Sequence, residues 1–283
     1  MTADPASEPG APDRLARFLD LLAGPGQGQP LLDRLQDGRE PVPSLLAEVA
    51  GSTAFADAYK RARVLDIRAQ GFQRANPAAI GLADLPADMP FADAFTARYT
   101  SRLEHRAAGF GTLFNALARI APSAPLIVET GTLRLAGNWA GDGQSTFLFD
   151  HFARERGGKV LSIDISIESV DTARRVCSGH TSLICNDSVI ALQTLGRLLS
   201  RKISLLYLDS FDLDPADPGP SAIHHALELA AAMPLLGPGS LVAVDDYALP
   251  GVVGGKGSIV DSYMQSIDAH VVYSGYQKVW QLR

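Results

Sequence analysis

The chain has 283 residues, enough for one large or two modest domains with a sizeable buried core. Hydrophobic residues make up 46% of the sequence and charged residues 20%, which is typical of a water-soluble globular protein. The formal net charge is −6, so the composition excludes a broadly basic surface for nucleic acid.

The cysteine content and the apolar runs narrow the class further. Cys177 and Cys185 are too few for a disulfide framework or a thiolate metal site, and we expect both to be small buried side chains. No apolar run approaches the about 20 residues that cross a bilayer. The start, MTADPASEPGAPDR, lacks the basic residues and apolar core of a signal peptide. We therefore expect a cytoplasmic protein that binds no membrane.

The first 121 residues are predicted to be helical after a disordered tail over residues 1–12, which carry too little apolar surface to fold. Asp13 can cap a helix that Gly24-Pro25-Gly26 ends. Further helical patterns lie near 43–50, 53–70 and 92–120. The predicted core positions of the last helix are Leu103, Phe110, Leu113 and Leu117. No residue of this region suggests catalytic chemistry.

From residue 122 onward, apolar strands alternate with helices. The strands are LIVET, KVLSIDI, TSLICND, ISLLYLDS and SLVAVDDY, and helices follow near 145, 168, 188, 221 and 257. This alternation predicts an α/β domain over 122–283, with a doubly wound, mostly parallel, Rossmann-like sheet preceded by an all-helical region over 13–121. The last two strands, HVVYSGY and KVWQLR, leave no room for a helix, so we expect a hairpin and a C-terminal antiparallel strand.

The first strand of this domain ends in Glu129-Thr130-Gly131-Thr132, and Ser145-Thr146 can open the next helix. Such a glycine turn brings backbone N–H groups close to a ligand at the carboxyl edge of the sheet. The segment has neither the G-x-G-x-x-G pattern of dinucleotide sites nor the Gly-Lys-Ser/Thr of a phosphate loop. An ordinary glycine-rich connection is the alternative interpretation.

Polar residues also end the next two strands. Asp164 closes the second strand, where a carboxylate commonly accepts hydrogen bonds from a ribose diol; a capping or solvated aspartate is the alternative. Asp187 and Ser188 follow the third strand, where they either contact an adenine ring edge or cap the next helix.

The last two parallel strands give the strongest signal. Asp209 ends one and Asp245-Asp246 end the other, so three carboxylates are expected to converge. Their mutual repulsion is relieved by a hard divalent cation, and all-oxygen ligation suits Mg²⁺, Mn²⁺ or Ca²⁺ rather than zinc. The alternative is one helix cap and one ordinary ion pair.

Four residues near this cluster are candidate catalytic groups. Asp212, His224 and His225 could each take a proton from a hydroxyl, and either histidine could equally be a surface or core residue. Gly254-Gly255-Lys256-Gly257 is interpreted as a flexible lid, in which Lys256 contacts substrate, acts as a base or is simply solvated.

These motifs carry a family resemblance over about residues 126–283. The strand order, E-T-G at the first turn, Asp164 and VDDY resemble a class I S-adenosylmethionine-dependent methyltransferase. The pair LDS and VDDY is similar to the metal-dependent O-methyltransferases of the macrocin and mycinose-sugar type. Two features depart from that family: the first loop carries an insertion, LAGNWAGDGQ, and the position of the base is ambiguous. Our first choice for the base is Asp212, and His224 and His225 compete with it.

The resemblance implies a role for each motif. Glu129 and the turn through Gly131 and Thr132 to Ser145 and Thr146 would hold the methionine moiety, Asp164 the ribose, and Asp187 with Ser188 the adenine. The aspartates Asp209, Asp245 and Asp246 would hold Mg²⁺ or Mn²⁺, which lowers the pKa of the acceptor hydroxyl.

We therefore expect a metal-assisted O-methyltransferase for a sugar or another hydroxylated small molecule. Nucleic acid and membranes are not expected partners, and self-association is left open. A metal-independent methyltransferase and a non-catalytic cofactor-binding subunit are the alternatives. A nicotinamide oxidoreductase is disfavoured because the dinucleotide glycine pattern is absent from the sequence.

Overall fold

The computed structural model describes residues 16, 20, 26–37, 44, 48–49, 76–249, 251–252 and 254–283, together with the backbone of 65–68. The chain divides into two compact units, 1–62 and 63–283. In the first unit, helix α1 spans Gly28–Asp37, which was not predicted. The predicted tail over 1–12 lies outside the described residues, as do most of the predicted helices near 13–22 and 43–50.

The second unit is built on one sheet, which has eight strands in the described part of the chain. The strands are β1 Leu65–Arg68, β2 Leu126–Thr130, β3 Lys159–Asp164, β4 Thr181–Cys185, β5 Leu205–Leu208, β6 Leu241–Val244, β7 His270–Ser274 and β8 Lys278–Gln281. Their order is β1-β4-β3-β2-β5-β6-β8-β7. Strands β2 to β6 pair in parallel, whereas β1 is antiparallel to β4 and β8 is antiparallel to both β6 and β7.

Three neighbouring strands in the middle of the sheet are buried along their whole length. Every residue of β2, β5 and β6 is buried, as expected for parallel strands that are covered on both faces. The doubly wound, Rossmann-like α/β fold is thereby confirmed. The predicted C-terminal hairpin is confirmed as well, because β7 and β8 pair directly.

Nine α-helices of this unit lie among the described residues, and the last five begin close to the positions predicted for them. They are α2 Phe91–Ala94, α3 Thr100–Leu103, α4 Ala107–Ile120, α5 Trp139–Asp142, α6 Ser145–Glu155, α7 Ile167–Val176, α8 Ser188–Leu198, α9 Gly219–Ala232 and α10 Ser258–Ser266. Asp187 caps α8 by accepting a hydrogen bond from the Ile190 N–H at 3.0 Å, so the capping interpretation of Asp187 is confirmed.

The segment that precedes β2 differs from its prediction in two ways. Strand β1 replaces the predicted helix over 65–68, and the predicted helix over 92–120 is interrupted. A π-helical stretch, Phe95–Tyr99, and a 3₁₀ turn, Glu104–Arg106, separate α2, α3 and α4. Glu104 has φ +50° and ψ −119°, a conformation that no α-helix continues. The four predicted core positions of this segment, Leu103, Phe110, Leu113 and Leu117, are buried as expected.

The segment from residue 76 to 121 packs on the sheet rather than forming a body of its own. Phe110 stacks on Tyr207 of β5 with ring centroids 5.8 Å apart, and Phe91 packs edge-on against Phe152 of α6. The compact unit accordingly begins at residue 63, whereas the sequence analysis places a boundary after residue 121.

Both cysteines are free thiols. Cys177 is buried as predicted, but Cys185 is only partly buried because it ends β4. Among the residues that the structure describes, no helix is long and apolar enough to cross a membrane.

Candidate active site

A polar cleft of about 490 Å³ lies at the carboxyl ends of β2, β5 and β6. Strand β3 pairs with one edge of β2 and β5 pairs with its other edge, so the strand order reverses between β2 and β5. Open α/β sheets bind ligands at such a switch point. Eight of the predicted site residues line the cleft: Gly131, Thr132, Ser145, Asp209, Asp212, Asp245, Asp246 and Lys256.

Gly131 allows the two halves of the cleft to approach each other. Its φ of +84° suits glycine, and its N–H donates to the Ile163 carbonyl at 2.8 Å. A Cβ at this position would lie 2.3 Å from the carbonyl oxygen of Asp209. The turn after β2 is therefore packed directly against the backbone that follows β5.

Glu129 supports this turn from behind. Its carboxylate is 0% exposed and accepts hydrogen bonds from the hydroxyls of Ser145, Thr146 and Ser162 at 2.6–2.7 Å. Burial raises the pKa of Glu129 to about 7 against the opposing effect of the three hydroxyls. Glu129 does not line the cleft, so its predicted contact with a ligand is replaced by a contact with the start of α6.

Asp164 joins β3 to the turn after β2. Its Oδ2 accepts a hydrogen bond from the Thr132 N–H at 2.9 Å, and its Oδ1 accepts one from the Ser166 N–H at 2.8 Å. Burial raises the pKa of Asp164 above its usual value. Ile165, the next residue, is 76% exposed, and Ile167 is also exposed. No sequence motif indicated this small apolar surface beside Asp164.

Ser188 and the two predicted histidines lie outside the cleft. The Ser188 hydroxyl is buried and lies 3.1 Å from Nε2 of His224. His225 is fully buried, its Nδ1 donates to the Ser221 carbonyl at 2.7 Å, and burial lowers its pKa to about 4. His224 and His225 therefore do not reach the cleft as bases, because α9 places both rings against buried partners.

Glu228 is the centre of a buried polar network that the sequence analysis missed. Its Oε2 accepts from the Thr130 hydroxyl at 3.1 Å and its Oε1 from the Ser210 hydroxyl at 2.6 Å, while Nε2 of His224 lies 3.3 Å away. Burial works to raise the pKa of Glu228, but the charge and hydrogen bond of His224 outweigh it and lower the pKa to about 2. The network ties the ends of β2 and β5 to α9.

The three predicted aspartates converge. One carboxylate oxygen from each of Asp209, Asp245 and Asp246 lies within 4.8 Å of the other two. Burial raises the pKa of Asp209 and Asp245, whereas contact with Lys256 and Tyr276 lowers that of Asp246 against the effect of burial. The carboxyl ends of β5 and β6 thus form the carboxylate cluster that their spacing predicts.

Lys256 lies inside this cluster and is only 2% exposed. Its Nζ is 2.5 Å from Oδ1 of Asp209 and 2.9 Å from Oδ2 of Asp246. Burial works to lower the pKa of Lys256, but its attraction to Asp209 and Asp246 outweighs that effect and raises the pKa. Lys256 is therefore a buried hydrogen-bond donor held in a 3₁₀ turn, Gly255–Gly257, rather than a solvated residue of an open lid.

Arg106 provides a second cation from the region that was predicted to have no catalytic chemistry. It is buried, its Nε lies 3.5 Å from Oδ2 of Asp245, and its guanidinium donates to the Ala140 carbonyl at 2.7 Å and to the Tyr276 hydroxyl at 3.0 Å. The Tyr276 hydroxyl in turn donates to Oδ1 of Asp246. Only the fold brings residue 106 to the cluster.

Three carboxylates are the kind of ligand that a hard divalent cation prefers, but most of their oxygens already contact other groups. Both oxygens of Asp246 accept hydrogen bonds, from Lys256 and from Tyr276. Oδ1 of Asp209 contacts Lys256, and Oδ2 of Asp245 faces Arg106. Oδ1 of Asp245 is buried and has no hydrogen-bond partner among the described residues. An ammonium group already lies where the carboxylates meet.

Asp212 stands at the mouth of the cleft. Its side chain is 76% exposed, and both of its oxygens lie 3.0 Å from the Arg134 guanidinium, which also contacts Asp142 at 3.1 Å. Arg134 belongs to the loop after β2 and Asp212 to the loop after β5, so this ion pair bridges the two loops above the switch point.

Comparisons with known proteins give matches in fold only. No protein-family model and no curated protein matches the sequence. The chain is similar to an O-methyltransferase of Bacillus cereus solved with SAH, at 16% identity and a TM-score of 0.42, covering 73% of this chain and 97% of that one.

Two further similar structures carry more specific descriptions. The MycE methyltransferase of the mycinamycin biosynthetic pathway, solved with Mg and SAH, is 16% identical with a TM-score of 0.45, covering 68% of this chain and 53% of that one. CalS11, a TDP-rhamnose 3'-O-methyltransferase of calicheamicin biosynthesis, is 15% identical with a TM-score of 0.40, covering 68% and 91%.

Proposed function

We propose that this protein transfers a methyl group from S-adenosylmethionine to a hydroxyl oxygen of a sugar or another polyhydroxylated small molecule. One observation carries the proposal: the glycine turn after β2 and the carboxylate cluster after β5 and β6 line a single cleft at the switch point of the sheet. The turn provides a place for the cofactor, and the cluster provides a place for a hydroxyl. The preference for a sugar comes from the sequence resemblance.

The residues around the turn fit the proposed cofactor. Gly131 leaves no side chain between the cleft and the backbone after Asp209. Each oxygen of Asp164 accepts one backbone hydrogen bond and keeps a second lone pair, so the carboxylate can also accept the two hydroxyls of a ribose. The exposed side chain of Ile165 offers an apolar contact for an adenine ring. Asp187, and Ser188 behind it, lie at the end of β4, next to β3.

Arg134 connects cofactor binding to the proposed base. Its guanidinium lines the cleft beside Thr132 and is half exposed, so it can bind the α-carboxylate of the methionine moiety. That contact would compete with Asp212 for the same guanidinium. Binding of the cofactor would then release the carboxylate of Asp212 toward the acceptor.

The proposed chemistry is a direct substitution. Bound S-adenosylmethionine supplies a methyl group on a positively charged sulfur. In that substitution the acceptor oxygen would take the methyl group, the electron pair of the broken S–C bond would stay on the departing sulfur, and Asp212 would accept the hydroxyl proton. The cluster of Asp209, Asp245 and Asp246 orients the acceptor by hydrogen bonds, and most of the rate is gained through positioning.

A divalent cation held by Asp209, Asp245 and Asp246 is the second candidate for this site. The convergence of three carboxylate oxygens within 4.8 Å favours it. Such an ion would bind the acceptor oxygen and lower the pKa of the hydroxyl.

We expect the full-length protein to bind S-adenosylhomocysteine with 1:1 stoichiometry, in Mg²⁺ and equally in excess chelator. The glycine turn and Asp164, which form the proposed cofactor site, do not include the carboxylate cluster. Isothermal titration calorimetry measures the binding, with NAD⁺ as the control ligand. Binding of NAD⁺ instead of S-adenosylhomocysteine, or of neither, would contradict the proposed function. Binding of S-adenosylhomocysteine without methylation of any sugar or nucleotide sugar would favour the non-catalytic alternative.

Replacing Asp212 with asparagine is expected to lower kcat by about 100-fold, the usual contribution of a positioned general base. The affinity for S-adenosylhomocysteine should change little, because Asp212 is assigned to the acceptor. The measurement is transfer of a labelled methyl group to the sugar that the wild type methylates best. Asp214→Asn is the control, since Asp214 is exposed on the same loop and does not line the cleft. Equal kcat values for the two variants would remove Asp212 from the mechanism.

A further inference from the structure

We propose that the ammonium group of Lys256 is the resident cation of the carboxylate cluster, in the place of a divalent metal ion, so that this site needs no divalent metal. Lys256 acts as a positioning residue that holds the oxygens of Asp209 and Asp246. The inference rests on the proposed function only where it assigns the cluster to catalysis.

The position of Lys256 is the first argument. Nζ lies within hydrogen-bond distance of two of the three carboxylates, at 2.5 Å from Asp209 and 2.9 Å from Asp246. The side chain is 2% exposed, so solvent screens its charge little. A divalent ion bound to the same oxygens would meet the positive charge of Lys256 within the same small volume, in a medium of low dielectric constant.

The backbone that carries Lys256 is shaped for this contact. Gly254 and Gly255 both have positive φ, +80° and +43°, which turns the chain back toward the end of β6. A Cβ on Gly255 would lie 1.9 Å from the carbonyl oxygen of Asp246, and the Lys256 N–H donates to that same carbonyl at 3.3 Å. Two adjacent glycines therefore bring the lysine into the cluster, which explains the GGKG motif without a mobile lid.

The charges of the cluster are nearly balanced without a metal. The three negative charges of Asp209, Asp245 and Asp246 face the two positive charges of Lys256 and Arg106, which leaves one net negative charge. A divalent ion would turn this into one net positive charge in a buried setting. The remaining negative charge suits a neutral hydroxyl that donates a hydrogen bond.

The test is the binding of Mn²⁺ to the chelator-treated full chain. Binding is measured as the loss of the electron paramagnetic resonance signal of free Mn²⁺. Wild type is expected to bind no Mn²⁺ at about 1 mM, the weak end of protein sites for hard cations. Lys256→Ala, which leaves three carboxylates without their ammonium, is expected to bind one Mn²⁺ with at least about tenfold higher affinity, because the repulsion is gone. Asp245→Asn added to Lys256→Ala should abolish the binding.

Lys278→Ala is the matched control. Lys278 is also a buried lysine, but its Nζ pairs with the single carboxylate of Asp261 at 2.6 Å, so its removal should create no Mn²⁺ site. Lys256→Gln, of similar size, repeats the test if the alanine variant does not fold. One Mn²⁺ bound by wild type, or no Mn²⁺ gained by the folded Lys256 variant, would overturn the proposal.

Titration of the same samples with S-adenosylhomocysteine separates this proposal from the proposed function. A wild type that binds S-adenosylhomocysteine and also Mn²⁺ would leave methyl transfer standing and remove only the role of Lys256. A wild type that binds neither, combined with a Lys256 variant that gains Mn²⁺, would support the resident cation and contradict the proposed cofactor.

Discussion

The substitution Gly131→Ala is expected to reduce the affinity for S-adenosylhomocysteine by more than tenfold and to destabilise the protein by about 2–5 kcal/mol. About 1–2 kcal/mol comes from placing a non-glycine residue at φ +84°. About 1–3 kcal/mol more comes from overpacking, because the new Cβ would lie 2.3 Å from the carbonyl oxygen of Asp209. The loops after β2 and β5 must separate, which widens the cleft. Calorimetry measures the affinity, and urea unfolding measures the free energy of unfolding.

Gly239→Ala is the control that separates strain from the clash. Gly239 has nearly the same φ, +86°, but a Cβ there would meet no atom within 4 Å. We expect this variant to lose only the about 1–2 kcal/mol of backbone strain and to keep the affinity of wild type. Similar losses of affinity in both variants would show that the approach of Gly131 to Asp209 does not shape the ligand site.

The carboxyl edge of the sheet was predictable because one rule covers all of its strands. Parallel strands end at the same edge, so the acids that close apolar runs must lie near one another, and Asp209, Asp245 and Asp246 do. Strand β1 was not predicted because it is too short to show a clear pattern. Over four residues, Leu65–Arg68, a period of 2 cannot be distinguished from a period of 3.6, so the pattern was assigned to a helix.

The cations of the site were not predictable from local patterns. Arg106 directly precedes α4, and it reaches Asp245 only because α4 packs on a sheet whose strands lie much later in the sequence. The glycines around Lys256 indicated flexibility, whereas their positive φ values build a tight turn. His224 and His225 were candidates because they lie near the start of a helix, but α9 is buried on nearly all sides, which gives both rings internal partners.

The second large effect concerns Glu228. Replacing it with glutamine is expected to lower the free energy of unfolding by about 3 kcal/mol near pH 5.5, because His224 then loses a buried anionic partner. Thr130 and Ser210 keep one acceptor between them, so the ends of β2 and β5 also loosen. Urea unfolding of both proteins across the pH range measures the difference. Asp217→Asn, which changes an exposed carboxylate just before the same helix, is the control.

The pH dependence of that difference identifies its cause. The pKa of Glu228 falls from 4.5 to about 2 on folding, so its stabilisation, about 3 kcal/mol, is present above pH 4.5 and is lost as the pH falls toward 2. The pKa of His224 is raised above 6.5, so its stabilisation is present below pH 6.5 and is lost as the pH rises through the raised value. The difference between wild type and Glu228→Gln should therefore be largest between pH 4.5 and 6.5 and decline on both sides. A difference that does not vary with pH would mean that Glu228 stabilises the fold by its neutral hydrogen bonds alone. In that case α9 would hold the ends of β2 and β5 without the charge of His224.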